Sequence, residues 1–150
     1  MTPELKQSLA MAAGMAAEAA DPWWIIGSAA VVLLGGGISQ VKDVDLMMSV
    51  RDADAFLRRA GVMARGTEKS DRFRSRVFGI WTAPPVPVEV FGGFEVATNG
   101  AWRPVSFETR EAIVVGHSQI FVPSRSELVR LLETFGRPKD LERARLISGA

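Results

Sequence analysis

The chain has 150 residues, a length typical of one domain with a sizeable core. Its 18 Lys and Arg residues against 17 Asp and Glu give a formal net charge of +1, which argues against nucleic-acid binding through overall charge. The absence of cysteine excludes disulfides, Cys-based zinc sites and thiol nucleophiles, and it fits a reducing cytoplasm.

Strong helix formers dominate residues 3–20 and predict an N-terminal helix, which Asp21-Pro22 should end. The β-prone residues 23–26 come next and predict a strand. Gly27-Ser28 then begins a short helix with Ser28 near its N-terminal cap, and the glycines at 35–37 break it.

The apolar run over residues 23–37 is shorter than the roughly 20 residues that a membrane-spanning helix needs. Acidic residues in the N-terminal segment also give it a charge order that differs from the basic beginning of a secretory signal. We therefore expect a cytoplasmic protein with no membrane partner.

In the middle of the chain, residues 44–50 predict a buried strand, and Asp52 is expected to cap a helix through Arg59 that Gly61 closes. In residues 71–81, three arginines alternate with Phe73 and Ser75 before an apolar run over 77–81, and this alternation favours one further strand.

Residues 88–91 predict another strand near a sheet edge, since several prolines precede it. Three short strands are then expected at 105–109, 112–115 and 119–122, with Gly116-His117 at a turn.

A capping-box pattern at Ser124 predicts a helix to Thr134, and Arg137-Pro138 begins a last helix to Ile147. Strands interleaved with helices predict an α/β (α+β) fold with a mixed sheet, helices packed mainly on one face, and C-terminal helices. We expect a single domain over residues 1–150, with its core at 23–122.

The strand around residue 45 carries two acidic residues, Asp43 and Asp45, which alternate with apolar ones. Side chains two apart on a strand share a face, so two carboxylates would point the same way and attract a cation. Glu89 offers a third carboxylate on the later strand, and convergent carboxylates suit Mg²⁺. The trio predicts metal-assisted phosphoryl chemistry.

Gly27-Ser28 fits the same chemistry, because a glycine lets the backbone approach phosphate, while free amides and a serine hydroxyl bind anions.

The motif Ile26-Gly27-Ser28, followed after fourteen residues by Asp43-Val44-Asp45-Leu46, resembles that of the nucleotidyltransferase superfamily of DNA polymerase β type. Val88-Glu89-Val90 matches the later acidic strand of that superfamily. The C-terminal stretch through Gly136-Arg137-Pro138-Lys139-Asp140 resembles the helical tail of its small prokaryotic members.

This resemblance implies transfer of a nucleoside monophosphate from a nucleoside triphosphate to a hydroxyl on a small molecule, protein or RNA. It implies that Asp43, Asp45 and Glu89 hold Mg²⁺ or Mn²⁺, and that Glu89 serves as a ligand or as the base for the acceptor. Gly27 and Ser28 would hold the triphosphate and Lys139 would reach phosphate. Arg130 stands where relatives often carry lysine, so its role stays open.

Two other hypotheses remain. One is an inert binding module of the same fold, such as a toxin–antitoxin component or a homo-oligomer that packs through its Ala/Met-rich N-terminal segment. The other is a metal-dependent phosphodiesterase or nuclease that uses the same carboxylates, although Gly27-Ser28 favours a triphosphate donor.

Three further features are weaker. Arg72, Arg74 and Arg76 would form a cationic row on one strand face, which is more often solvated than a binding site. His117 is the only histidine and has no second ligand nearby in sequence, which disfavours zinc. The glycines at 35–37 lack the spacing of a dinucleotide-binding fingerprint.

Overall fold

The computed structural model describes residues 1–66 and 70–149 of the chain. The helices are α1 (Pro3–Ala16), α2 (Gly27–Leu33), α3 (Val50–Ala60), α4 (Arg125–Phe135) and α5 (Pro138–Ile147). The strands are β1 (Trp24–Ile26), β2 (Val44–Met48), β3 (Phe73–Arg74), β4 (Val77–Trp81), β5 (Val88–Gly92), β6 (Glu95–Thr98), β7 (Ala101–Pro104), β8 (Glu111–Val115) and β9 (Ser118–Val122).

A mixed four-stranded sheet forms the centre of the fold. Its strand order is β1-β2-β5-β4, with β2 and β5 parallel and the two outer strands antiparallel to their neighbours. One face of the central strands is fully buried through Val44, Leu46, Val88 and Val90. Helix α3 covers this face, where Leu57 packs directly on Gly79 of β4. The α+β class, the mixed sheet and the two C-terminal helices are confirmed.

Helix α3 begins earlier than predicted, because Ser49 rather than Asp52 caps it. Asp52 instead lies in the first turn, where it is 6% exposed. Its carboxylate accepts hydrogen bonds from the backbone amides of Ala20 at 2.9 Å and Asp21 at 2.8 Å. It therefore holds the segment between α1 and β1, and α1 itself ends at Ala16, not at residue 20.

Replacing Asp52 with alanine is expected to lower the free energy of unfolding by about 3 kcal/mol, since two amide donors lose their acceptor. Asp54→Ala on the same helix is the matched control, because Asp54 makes only an exposed ion pair with Arg58, which contributes at most about 1 kcal/mol. Urea unfolding of both variants measures the difference. Equal losses would show that the Asp52 hydrogen bonds contribute nothing beyond an exposed ion pair.

Strand β5 lies between β2 and β4, so the predicted position of residues 88–91 near an edge is wrong. The prolines precede the strand and interrupt no ladder position within it. Pro87 even contributes to the sheet, since its carbonyl accepts a hydrogen bond of 2.9 Å from the Val44 amide. Glu89 on β5 therefore lies on a central strand of the sheet and not on an edge strand.

The single strand predicted over residues 71–81 is also wrong, because the chain divides there into β3 and β4. Strand β3 pairs with β6 in a three-stranded sheet of order β3-β6-β7, whereas β4 joins the central sheet. Ser75 and Arg76 form the crossing between the two sheets. The alternation ends at Arg76, where the chain crosses, and the apolar run that begins at Val77 forms β4.

A strand predicted at 105–109 is absent from the structure, and the hairpin of β6 and β7 precedes that segment. Asn99 and Gly100 form the two-residue turn, both with positive φ (50° and 77°). Asn-Gly is a strong signal for such a turn, so the sequence carried this information. The later strands β8 and β9 and the turn at Gly116-His117 are as predicted.

The predicted Ser124 cap of α4 is confirmed, since the hydroxyl accepts a hydrogen bond of 3.3 Å from the Glu127 amide. In a complete capping box the Glu127 side chain would also accept a hydrogen bond from the Ser124 amide, but here it bonds to residues more distant in sequence. Glu127 accepts hydrogen bonds from the amides of Glu108 and Thr109, and the Thr109 hydroxyl accepts one from the Ser124 amide. Helix α4 is thereby tied to the loop before β8. None of the described helices is both long and apolar enough to cross a bilayer.

Candidate active site

Two of the three predicted carboxylates are direct neighbours. Strands β2 and β5 run parallel with Asp45 and Glu89 as Cα partners, so both side chains lie on the sheet face opposite α3. The two side chains are hydrogen-bonded to each other.

Burial raises the pKa of Asp45 well above its ordinary value, and the charges of Glu89 and Asp43 raise it further. Burial likewise raises the pKa of Glu89, although its hydrogen bond to Asp45 and the charge of Lys139 partly offset this effect. A divalent cation stabilises carboxylate groups that repel one another in a partly buried cleft, because it neutralises their charge. The residues present therefore fit a hard metal ion.

Asp43 lies just before β2 and lines the same cleft. Within residues 1–66 and 70–149, however, no three His, Cys, Asp or Glu side chains are arranged as a group that could hold a metal ion. The neighbouring pair is Asp45 and Glu89, and Asp43 acts on both through its charge. A metal site formed by all three stays a prediction.

The turn at Gly27 contacts the carboxylate of Asp45. Ile26 and Asp45 are Cα partners across β1 and β2, so the chain enters α2 immediately beside this acid. Gly27 has φ +68°, and a Cβ placed there would overlap Asp45 Oδ2 and lie 3.3 Å from Asp45 Cγ. Only glycine combines this backbone conformation with this proximity. Ser28 follows, is 8% exposed and also lines the cleft.

Helix α5 contributes the cationic side of the site. Lys139 and Arg143 are one helical turn apart and both line the cleft, where the charge of Lys139 acts on Glu89 and that of Arg143 acts on Asp45. Lys139 was predicted and Arg143 was missed. The spacing of four from Lys139 on a predicted helix is the signal that would have found it.

The cleft between these elements has a volume of about 500 Å³. Besides the groups above, five phenylalanines line it, which we call the aromatic wall: Phe73, Phe78, Phe91, Phe94 and Phe135. Sequence reasoning did not identify these phenylalanines as part of the site. Four different strands or loops and the end of α4 supply them, so no local pattern reveals the set.

The three arginines of the predicted cationic row do not form one. Arg72 donates to the Phe135 carbonyl, while Arg74 pairs with Glu95 at 2.7 Å and stacks on Trp102 at 4.4 Å. None of Arg72, Arg74 and Arg76 lines the cleft, whereas Phe73 and Ser75 between them do. Arg130 and His117 are likewise not among the lining residues.

Comparison with solved structures gives three likenesses that cover most of each chain. A presumed nucleotidyltransferase from Thermotoga maritima has a TM-score of 0.79 at 20% identity, over 97% of this chain and 92% of its own. ANT(2″)-Ia in complex with adenylyl-2″-tobramycin has a TM-score of 0.55 at 16% identity, over 97% and 88%. The lincosamide antibiotic adenylyltransferase LnuA, bound to lincomycin, has a TM-score of 0.55 at 10% identity, over 85% and 86%.

No protein-family model matches the chain, and no curated protein matches it in sequence. The likeness at these identities is one of fold, and this chain shares the fold of the three proteins.

Proposed function

We propose that this chain, which has the nucleotidyltransferase fold, is a metal-dependent enzyme that transfers a nucleoside monophosphate from a nucleoside triphosphate to a hydroxyl acceptor. The observation that carries the proposal is the pairing of Asp45 with Glu89 beside the Gly27 turn. The neighbouring structures include two antibiotic adenylyltransferase complexes, which supports this reaction class.

Each side of the cleft has a distinct task in this proposal. Asp45, Glu89 and Asp43 hold Mg²⁺ or Mn²⁺, which when bound neutralises charge on the triphosphate. The backbone at Gly27 and Ser28, with Lys139 and Arg143, binds the phosphates.

The reaction forms one P–O bond and breaks another. The acceptor oxygen attacks the α-phosphorus, and the bond from that phosphorus to the bridging oxygen of pyrophosphate breaks. The acceptor's proton passes to the carboxylate of Glu89.

Thermal unfolding with nucleotides tests the proposal. ATP or another nucleoside triphosphate with Mg²⁺ is expected to stabilise the protein by about 2.7 kcal/mol at a hundredfold excess over Kd, and EDTA should abolish the effect. Pyrophosphate release with a suitable acceptor then demonstrates turnover. If the protein binds a nucleoside triphosphate in a metal-dependent way but turns over no acceptor, the inert binding module is favoured. If ATP, GTP, CTP and UTP all fail to bind in a metal-dependent way, the proposal is wrong.

A matched pair on α5 sharpens this experiment. Arg143→Gln is expected to weaken Mg²⁺–ATP binding about tenfold or more, because a charge-assisted contact to phosphate is lost. Arg145→Gln should leave binding unchanged, because Arg145 is exposed and pairs with Glu142 outside the cleft. Equal effects of the two substitutions would point to general electrostatics in place of a phosphate contact.

A further inference from the structure

Four of the five rings of the aromatic wall, those of Phe73, Phe91, Phe94 and Phe135, contact one another. The ring centroids of Phe91 and Phe94 are 4.8 Å apart, and those of Phe73 and Phe135 are 4.7 Å apart. Phe94 also contacts Phe73 at 6.0 Å, which joins the two pairs. Phe73, Phe78 and Phe94 are only partly buried, and the guanidinium of Arg137 lies 4.9 Å from the centroid of the Phe73 ring, so part of that ring is covered by a cation.

This wall begins beside Glu89. Phe91 lies two residues further along β5 and therefore on the same sheet face. Phe78 is the Cα partner of Phe91 on the edge strand β4, so it extends the wall away from Asp45. The Gly27 turn lies on the other side of Asp45, toward β1. Across the sheet, the Gly27 turn and Phe78 thus lie on opposite sides of the carboxylate pair.

The charges of the cleft exclude one class of acceptor. Four acidic residues line the described cleft: Asp43, Asp45, Glu89 and Asp140. The first three form the acidic group of the proposed reaction. Asp140 is 1% exposed and is saturated by Arg137, through contacts of 2.5 and 3.0 Å from the guanidinium and 3.2 Å from the amide. No carboxylate among the described lining residues is left to pair with an ammonium group.

From this juxtaposition we propose that the acceptor is a hydroxyl compound with an aromatic or apolar body and without an array of amines. Its ring packs on the aromatic wall while its hydroxyl reaches Glu89. This inference rests on the proposed nucleotidyl transfer and adds the acceptor class. Stacking on phenylalanine favours such a body, whereas an uncompensated ammonium near Lys139 and Arg143 is repelled.

Ligand-observed NMR with three aryl alcohols tests the acceptor class: 2-phenylethanol, 3-phenyl-1-propanol and chloramphenicol. Each titration is made with the full chain, both alone and with Mg²⁺ and a non-hydrolysable ATP analogue. The expected result is saturable binding of the aryl alcohols, and no displacement of them by tobramycin, which carries several amines. Tobramycin displacing the alcohols, or no alcohol binding to a protein that binds the nucleotide, would overturn the inference.

Variants at Phe78 assign the binding to the wall. Phe78→Ala is expected to weaken aryl-alcohol binding about tenfold and to leave nucleotide binding within about twofold, while Phe78→Leu keeps most of the affinity and checks for misfolding. Phe107→Ala is the control, because Phe107 packs on Trp24 at 5.6 Å and is not a lining residue of this cleft.

The outcomes separate the two proposals. If Phe78→Ala weakens nucleotide binding and leaves aryl-alcohol binding unchanged, the wall holds the nucleobase of the nucleotide and the acceptor inference is wrong. If the alcohols bind and no nucleotide does, the proposed transfer fails while the wall is still a binding surface for aryl groups.

Discussion

The substitution Asp45→Asn is expected to lower nucleotidyl transfer at least about a thousandfold and, at the same time, to make the metal-free protein more stable. Activity falls because an amide is a far poorer metal ligand than a carboxylate. Stability rises because Asp45 is a carboxyl group whose ionisation is opposed by burial, by Glu89 and by Asp43. The carboxyl group proposed to bind the metal therefore destabilises the protein in the absence of metal.

The gain in stability should depend on pH in a definite direction. In the unfolded chain an aspartate has a pKa near 3.9, whereas in the folded protein the pKa of Asp45 is well above that. Between these two values the folded state binds more protons, so the stability of the wild type falls as pH rises from about 4 through the raised pKa. The asparagine side chain of the variant does not ionise. The free energy of unfolding of Asp45→Asn should therefore be higher than that of the wild type at pH values above the raised pKa of Asp45. Below about pH 4 the two free energies should be equal.

Urea unfolding in EDTA at several pH values, together with a transfer assay, measures both effects. Asp54→Asn is the control, because Asp54 is exposed beside Arg58 and touches no part of the cleft. An active Asp45→Asn variant would remove Asp45 from the metal site. A variant that is less stable than the wild type at every pH would show that the carboxyl group is a structural residue of the sheet.

Local signals predicted the elements that present the site. Ser124 and Pro138 mark the beginnings of the C-terminal helices, and Gly27 marks the turn into α2, because caps, prolines and glycines act over a few residues. The alternation around Asp45 gave the face of β2 correctly, since side-chain direction follows from strand geometry alone.

Contacts between distant segments were not predictable in the same way. The prolines before Glu89 indicate an edge strand locally, but the strand's place between β2 and β4 is decided by its partners. In residues 71–81 the alternation gives way to an apolar run after Arg76, but the sheet that each part joins is decided by its strand partners. The aromatic wall has the same origin, because only the folded chain brings Phe73, Phe91 and Phe135 together.

Gly27→Ala is expected to remove activity and to destabilise the protein by about 3 kcal/mol. The positive φ of Gly27 costs an L-residue roughly 1–2 kcal/mol, and the overlap of the new methyl group with Asp45 Oδ2 adds about 1–3 kcal/mol. Relief requires the Asp45 carboxylate to turn away from the turn, and thereby from the proposed metal. Gly116→Ala is the matched control, since Gly116 has φ +62° but nothing within 4 Å of a Cβ, so it isolates the backbone cost.

A double-mutant cycle of Gly27→Ala with Asp45→Ala separates the two parts of the Gly27 effect. In the double variant the new methyl group at position 27 would lie 3.6 Å from the remaining Cβ at position 45, which is an ordinary contact. The second substitution should therefore recover about 1–3 kcal/mol, leaving a loss close to that of Gly116→Ala. Additive losses in the cycle would mean that the turn and the acid do not touch in solution. A coupling of the expected size would establish that the Gly27 turn and the Asp45 carboxylate are in contact in solution, because the only atoms that differ between the single and double variants are those of the Asp45 carboxylate.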